Sequence, residues 1–156
     1  MTRRRLGVFI ATCAHVGYAP FAPGTFGSAA ALVLYYLVRR QASTTIELVT
    51  IAVVLVIGLW SATEAEHHFG GIDPGPVVID EVIGMLLTLA LHPVNVLGAL
   101  TGFVIFRVLD VVKPWPARRL ERLPGGFGVV LDDVMAGVYA NLLLWALILV
   151  APSWLT

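Results

Sequence analysis

Apolar residues in this chain come in long unbroken runs, without the alternation of a half-buried strand. Five runs can be marked, each closed by turn residues: Ser28 to Val38, Ile46 to Ala62, Val77 to Leu91, Val94 to Val112 and Val129 to Val150. Runs of this kind predict helices that are apolar on most faces, buried in a core or set against lipid. A straight crossing of a ~30 Å hydrocarbon core takes about 20 residues, a length that only the last run clearly reaches. The short first and third runs can tilt, thin the bilayer locally, or half-bury against partner helices. Ahead of them, Arg5 to Val16 is predicted to be a helix lying along the interface. The expected fold class is all-α: a polytopic membrane helical bundle of about four to five transmembrane segments plus the N-terminal interfacial helix, in one domain over residues 1–156.

Composition strengthens the membrane reading. The chain is 58% hydrophobic and 13% charged, against about 45–50% and 25% in an ordinary soluble domain. Its basic start and first apolar run superficially resemble a signal peptide, but Pro20 and Pro23 stand where small residues would mark cleavage, so the segment is expected to be retained. A formal net charge of zero, with basic residues not interleaved with aromatics, argues against a nucleic-acid partner. Cys13 is the sole cysteine, which excludes an internal disulfide and a cysteine metal cluster. No arginine follows it in "AHVGYAPFAPG" to close a phosphate loop, so it is expected to be a buried, inert thiol.

Lysine and arginine set the expected orientation, because cytoplasmic loops carry their excess. With five crossings and the N-terminus inside, Arg3, Arg4, Arg5, Arg107, Lys113, Arg118, Arg119 and Arg122 fall on the cytoplasmic side, and only Arg39 and Arg40 fall outside. The same topology brings Gly24 to Ser28, Asp80 and Glu81, the stripe Arg107, Asp110 and Lys113, and Asp132 and Asp133 to one face. Four of the five aspartates lie in these clusters. An ionised carboxylate at the bilayer centre costs about 2.5–3.5 kcal/mol on insertion scales, so pairs of them at apolar helices call for a ligand or for water.

Each cluster has its own chemistry. In "VVIDEVIGMLL", Asp80 and Glu81 enter an apolar helix near its start, where the helix dipole favours anions. In "FRVLDVVKPWP", Arg107, Asp110 and Lys113 recur every three residues and share one face. Pro114 should end that helix at Lys113. "FAPGTFGSAAAL" is a glycine-containing turn into a helix, with Ser28 as expected N-cap and Thr25 as an added hydroxyl donor. Glu64, Glu66, His67 and His68 form an interfacial group, more simply a solvated helix end than a zinc site. Carboxylates beside arginine and lysine at a headgroup interface suggest Mg²⁺ with a phosphate substrate, and hydrolysis of a phosphate monoester as the reaction.

Taken together, "APGTFGS", "VIDEVIGM", "FRVLDVVKPWP" and "GGFGVVLDDVMAG", in that order and spacing from about Tyr18 to Leu144, resemble the phosphatidylglycerophosphatase A family of bacterial membrane lipid phosphatases. The resemblance implies a Mg²⁺-dependent enzyme that removes the terminal phosphate of phosphatidylglycerophosphate at the cytoplasmic side of the inner membrane. Residue by residue, it implies an acidic motif at Asp80 and Glu81, an Arg/Asp/Lys motif at Arg107, Asp110 and Lys113, a closing pair at Asp132 and Asp133, and a turn motif at Pro23, Gly24 and Thr25. The roles expected are metal ligation by Asp80, Asp132 and Asp133, metal or water contact by Asp110, and a bracing or basic role for Glu81. Arg107 and Lys113 would hold phosphate, assisted by Gly24 and Thr25. Residues 39–72 match no pattern of the family, so the Glu/His group inherits no role.

Three rivals stand beside this reading. A small transporter would continue its polar residues through the bilayer, yet Val134 to Val150 offers little beyond Tyr139 and Asn141. A metal-dependent phosphatidyltransferase would repeat aspartates and glycines along helical faces. A non-catalytic membrane scaffold leaves the clustered aspartates without a use.

Overall fold

The structure, a computed structural model, describes residues 2–156 and is helical, with no strand among the described residues. The elements in chain order are α1 (Arg3–Ala11), a short 3-10 turn (Val16–Tyr18), α2 (Pro23–Arg39), α3 (Thr44–Phe69), α4 (Ile79–Leu89), α5 (Val96–Val112), α6 (Ala117–Leu120), α7 (Gly126–Val150) and α8 (Pro152–Leu155). The boundaries have local causes. Ser43 and Asn95 accept the N–H of Ile46 (3.3 Å) and Gly98 (3.0 Å) at the starts of α3 and α5, each satisfying an orphan donor of the first turn. Gly70, at φ 76°, follows α3, and Lys113, at φ 48°, ends α5 just before Pro114.

Ser28 is not the N-cap. Helix α2 begins five residues earlier, at Pro23, whose missing N–H costs nothing in a first turn. The Ser28 hydroxyl instead donates back to the Gly24 carbonyl at 2.9 Å. The N-terminal helix is also shorter than expected and stops at Ala11.

Two helices, α3 and α7, are long and apolar enough to cross a membrane. In each, only 28% of the most apolar window is buried, whereas the core helix of a soluble protein would be mostly covered. Val33, Val56, Val104, Val108, Leu142 and Leu149 all face outward. So much exposed apolar surface calls for lipid or a partner. Helix α4 is the reverse case: its 11 residues rise only about 16 Å, and nine of them are buried between α2 and α7.

The bundle has two ends. At one, α1 and the starts of α2, α4 and α7 meet the ends of α3 and α5: Arg3 pairs with Glu64 (3.0 Å), and Thr63 accepts the Gly126 N–H (2.9 Å). At the other, the Tyr35 hydroxyl donates to the His92 carbonyl (2.6 Å), and Asn95 donates to the Trp154 carbonyl (2.9 Å). Arg39, one of the two cations on the minority side, is paired there with buried Glu47 at 3.2 Å.

Candidate active site

The site is built where α4 crosses α7. Asp80 is followed four residues later by Gly84, and Asp133 by Gly137; that interval returns to the same helical face. The two glycines meet. A Cβ on Gly137 would strike the Gly84 carbonyl, and one on Gly84 would strike the Phe106 ring and approach the Asp133 carbonyl. Backbone contact at this crossing brings the aspartates, one turn toward the helix starts, into register. Asp80, Glu81 and Asp133 each offer an oxygen, all within 4.8 Å of one another.

Each of these carboxylates has a buried oxygen without a partner. Asp80 and Asp133 are 5% and 3% exposed, and Asp80 Oδ1, Glu81 Oε2 and Asp133 Oδ2 are buried without a hydrogen bond. Clustered like charges with unsatisfied oxygens are costly in a dry site. Three convergent hard oxygens suit a divalent cation such as Mg²⁺, which takes carboxylate ligands and keeps water or phosphate as the rest. The buried acidic group can hold a metal ion.

Cations border the cluster. Arg107 Nη1 lies 2.7 Å from Asp110 Oδ2 and 3.8 Å from Glu81 Oε1. Lys113 Nζ donates to Asp132 Oδ2 at 2.6 Å and to Glu121 Oε1 at 3.1 Å. The left-handed turn at Lys113 bends the chain out of α5 and leaves its side chain against α7. Burial alone would lower its pKa, but the hydrogen bonds and charges of Asp132 and then Glu121 reverse this and hold the ammonium above its ordinary range. Asp73 stands at the mouth, beside a cavity of about 490 Å³ lined also by Ile72, Glu121 and Arg122. Although Asp73 itself reaches solvent, the protein around its carboxyl, opposed by Lys113 and reinforced by Asp132, Glu121 and Asp110, pushes its pKa up to about 6.

Gly24 completes the wall. A Cβ there would run into the Glu81 carboxylate and lie 3.1 Å from Arg107 Nη1, so only glycine lets the first turn of α2 sit against both. Thr25 faces a groove that it shares with Arg107.

The structure therefore gathers Gly24, Asp80, Glu81, Arg107, Asp110 and Asp133 around one point, with Lys113 and Asp132 as an adjoining pair. Asp110 and Asp132 are engaged by cations, outside the three-carboxylate group. Glu64 is committed to Arg3, and His67 and His68 are exposed. Sequence reasoning missed Glu121, which shares Lys113, and the glycine pair at the crossing. The glycines had a readable signal, an aspartate followed by glycine at the fourth position in both helices. Glu121 had none, since only the fold brings it to Lys113.

Comparison with known proteins agrees with this geometry. A profile of the family described as phosphatidylglycerophosphatase A matches residues 9–148. The chain is 40% identical to a phosphatidylglycerophosphatase A of Escherichia coli over 78% of its own length and 72% of the relative's. It is 34% identical to the Haemophilus influenzae protein of the same name over 81% and 78%. It is also 37% identical, over 89% of its length and 91% of the relative's, to a Bacteroides thetaiotaomicron protein named provisionally as a phosphatidylinositol-3-phosphatase. No solved structure matches the chain. The four motifs that build the carboxylate and cation cluster all lie inside the matched span, and the chain belongs to the phosphatidylglycerophosphatase A family of phosphatases.

Proposed function

We propose that this chain hydrolyses the terminal phosphate monoester of phosphatidylglycerophosphate, releasing inorganic phosphate and phosphatidylglycerol, with Mg²⁺ held by Asp80, Glu81 and Asp133. The observation that carries the proposal is the set of three buried carboxylates with unpartnered oxygens beside two cations, in a chain of this family. When bound, Mg²⁺ supplies polarisation of the phosphoryl group and a more acidic water. Arg107 and Lys113 bind the phosphate oxygens and neutralise their charge, moving partly off Asp110 and Asp132 to do so. Asp132 keeps Oδ1 free while Oδ2 holds Lys113, which suits Oδ1 to take the proton of the attacking water. The bond to the glyceryl oxygen breaks as the new P–O bond forms, and the Lys113 ammonium beside it can return a proton to the leaving oxygen.

The proposed setting is the bacterial cytoplasmic membrane, with the chain passing through four to five times as one domain and the site facing the cytoplasm. Eight lysines and arginines at the site end support that orientation. The Bacteroides relative's name favours a second substrate, a 3-phosphate on phosphatidylinositol. Both are phosphate monoesters on lipid headgroups, and the cluster can address either.

Phosphate release by the purified protein in detergent, from phosphatidylglycerophosphate, phosphatidylinositol 3-phosphate and phosphatidic acid, decides between them. The expected result is release favouring phosphatidylglycerophosphate, lost with EDTA and restored by Mg²⁺. Faster release from the inositol lipid would replace the substrate. No release from any of the three by folded protein would overturn the phosphatase reading and bring transport forward.

A further inference from the structure

The acidic cluster is recessed from the tips of α5 and α7, which extend past the first turn of α4 that carries Asp80 and Glu81. Asp133 is the eighth residue of α7, about 10 Å along the helix, and Arg107 lies about 8 Å before the end of α5. A diacyl phospholipid whose chains stay in the bilayer cannot be lifted over the rim to reach this depth, because each methylene drawn into water costs about 0.8 kcal/mol. Its headgroup has to enter from the side.

One side is open. Helices α2 and α5 flank the cluster yet hardly touch each other, packing instead on α4 and α7. Between them runs a groove of about 420 Å³ lined by Thr25 of α2 and by Phe103, Val104, Arg107, Val108 and Val111 of α5, among others. Its wall is almost wholly apolar apart from Thr25 and Arg107. The α5 residues from Phe103 to Val111 extend about 12 Å along the helix, most of the ~15 Å depth of one leaflet. Arg107 is the partition, since its guanidinium also reaches Asp110 and Glu81 on the cluster side.

Resting on the phosphatase reading above, we infer that the α2–α5 groove is the lateral door for a diacyl phospholipid bearing a phosphate monoester. The phosphate passes between Thr25 and Arg107, while an acyl chain lies along Phe103, Val104 and Val108. The occupant follows from complementarity: an apolar groove spanning most of a leaflet, with a cation at the point where it meets the carboxylates, matches an anionic amphiphile.

Two obstructions test the door. Val108→Trp fills it genetically. Val108→Cys in a Cys13→Ser background, labelled with a bulky maleimide after purification, fills it in protein already folded. Val56→Trp, on the outward face of α3, is the control and should leave activity unchanged on every substrate. Each protein is assayed on dioleoyl and dihexanoyl forms of the same phosphate-bearing lipid. Obstruction is expected to lower kcat/KM about tenfold or more for the dioleoyl lipid and only about twofold for the dihexanoyl form, as when binding of remote substrate parts is lost. Equal losses on both lipids, or none on either, would overturn the door. Unmodified protein inactive on both lipids would instead overturn the proposed function.

Discussion

Glu47 and Asp133 are almost equally buried, at 4% and 3% exposure, on the two longest helices and at opposite ends of the bundle. Glu47 has a partner for each oxygen: Oε1 accepts the Leu91 N–H at 3.0 Å and Oε2 takes Arg39 at 3.2 Å. Asp133 keeps Oδ2 without one, next to Asp80 and Glu81 in the same condition. Burial alone therefore does not distinguish a structural carboxylate from one that awaits a ligand. The shortage of partners does.

The same distinction bears on transport. Asn141 Nδ2 lies within 3.1 Å of the Leu87, Thr88 and Ala90 carbonyls, closing the end of α4, and the Tyr139 hydroxyl donates to the Trp115 carbonyl at 3.1 Å. The two polar side chains that a conduction path through α7 would need are both committed to backbone.

The comparison breaks most directly at Asp133. Asp133→Asn keeps the volume and removes a charge from the cluster, so phosphate release should fall by about a thousandfold or more, the scale of losing a group used in the transition state. The melting temperature without metal should hold or rise, because a like-charge contact is relieved. A variant that turns over normally would show Asp133 to be as structural as Glu47. Gly137→Ala should come next. It wedges α7 from α4 at the Gly84 carbonyl, and a displacement of about 1 Å at the carboxylates costs on the order of a hundredfold in rate. Activity preserved in folded Gly137→Ala protein would mean that the crossing does not set the spacing.

Glu47→Ala is the mirror experiment. It leaves Arg39 and the Leu91 N–H without their acceptor. The cost should be about 2–3 kcal/mol, below the 3–5 of a fully buried pair, because Arg39 keeps some water. The melting temperature in detergent should drop while turnover per folded molecule stays within about twofold. A large fall in turnover without loss of stability would make the far end part of the mechanism.

Much of this was legible in the chain. Long apolar runs announced the helices, and the topology they implied already carried the four polar clusters to one end, where the structure has them. Pro114 marked the end of α5 at Lys113. What the sequence could not rank was the aspartates among themselves. Asp132 and Asp133 are neighbours in an apolar helix, and only the rotation of α7 against α4 sends Asp133 to the carboxylates and Asp132 to Lys113. The start of α2 was misplaced because Ser28 had the chemistry of a cap, while the actual start used proline at N1. The pairing of Arg39 with Glu47 was hidden by the turn between α2 and α3, so Arg39 stood out as a misplaced cation when it is a neutralised one.

Asp73 lies between the two kinds of carboxylate, unpaired like Asp133 but open to solvent, and it should show the smallest effect. With its pKa pushed up to about 6, it is neutral at the mouth below that pH and anionic above it. A raised acid pKa means that its charge is disfavoured in the folded protein, and that penalty builds as pH rises from the ordinary carboxyl value of 3.8 and is complete once pH passes about 6, where the folded carboxyl ionises. The new charge also repels an incoming phosphate, so KM should rise across this range while kcat is unaffected. The substrate's own second ionisation falls near pH 6, but it acts equally on Asp73→Asn, so the difference between the two KM profiles isolates the side chain. The variant should flatten the rise by about twofold, the scale of a screened surface charge. Superimposable profiles would mean that solvent at the mouth cancels the charge before it reaches Lys113, and that only the dry carboxylates deeper in the bundle act on the phosphate.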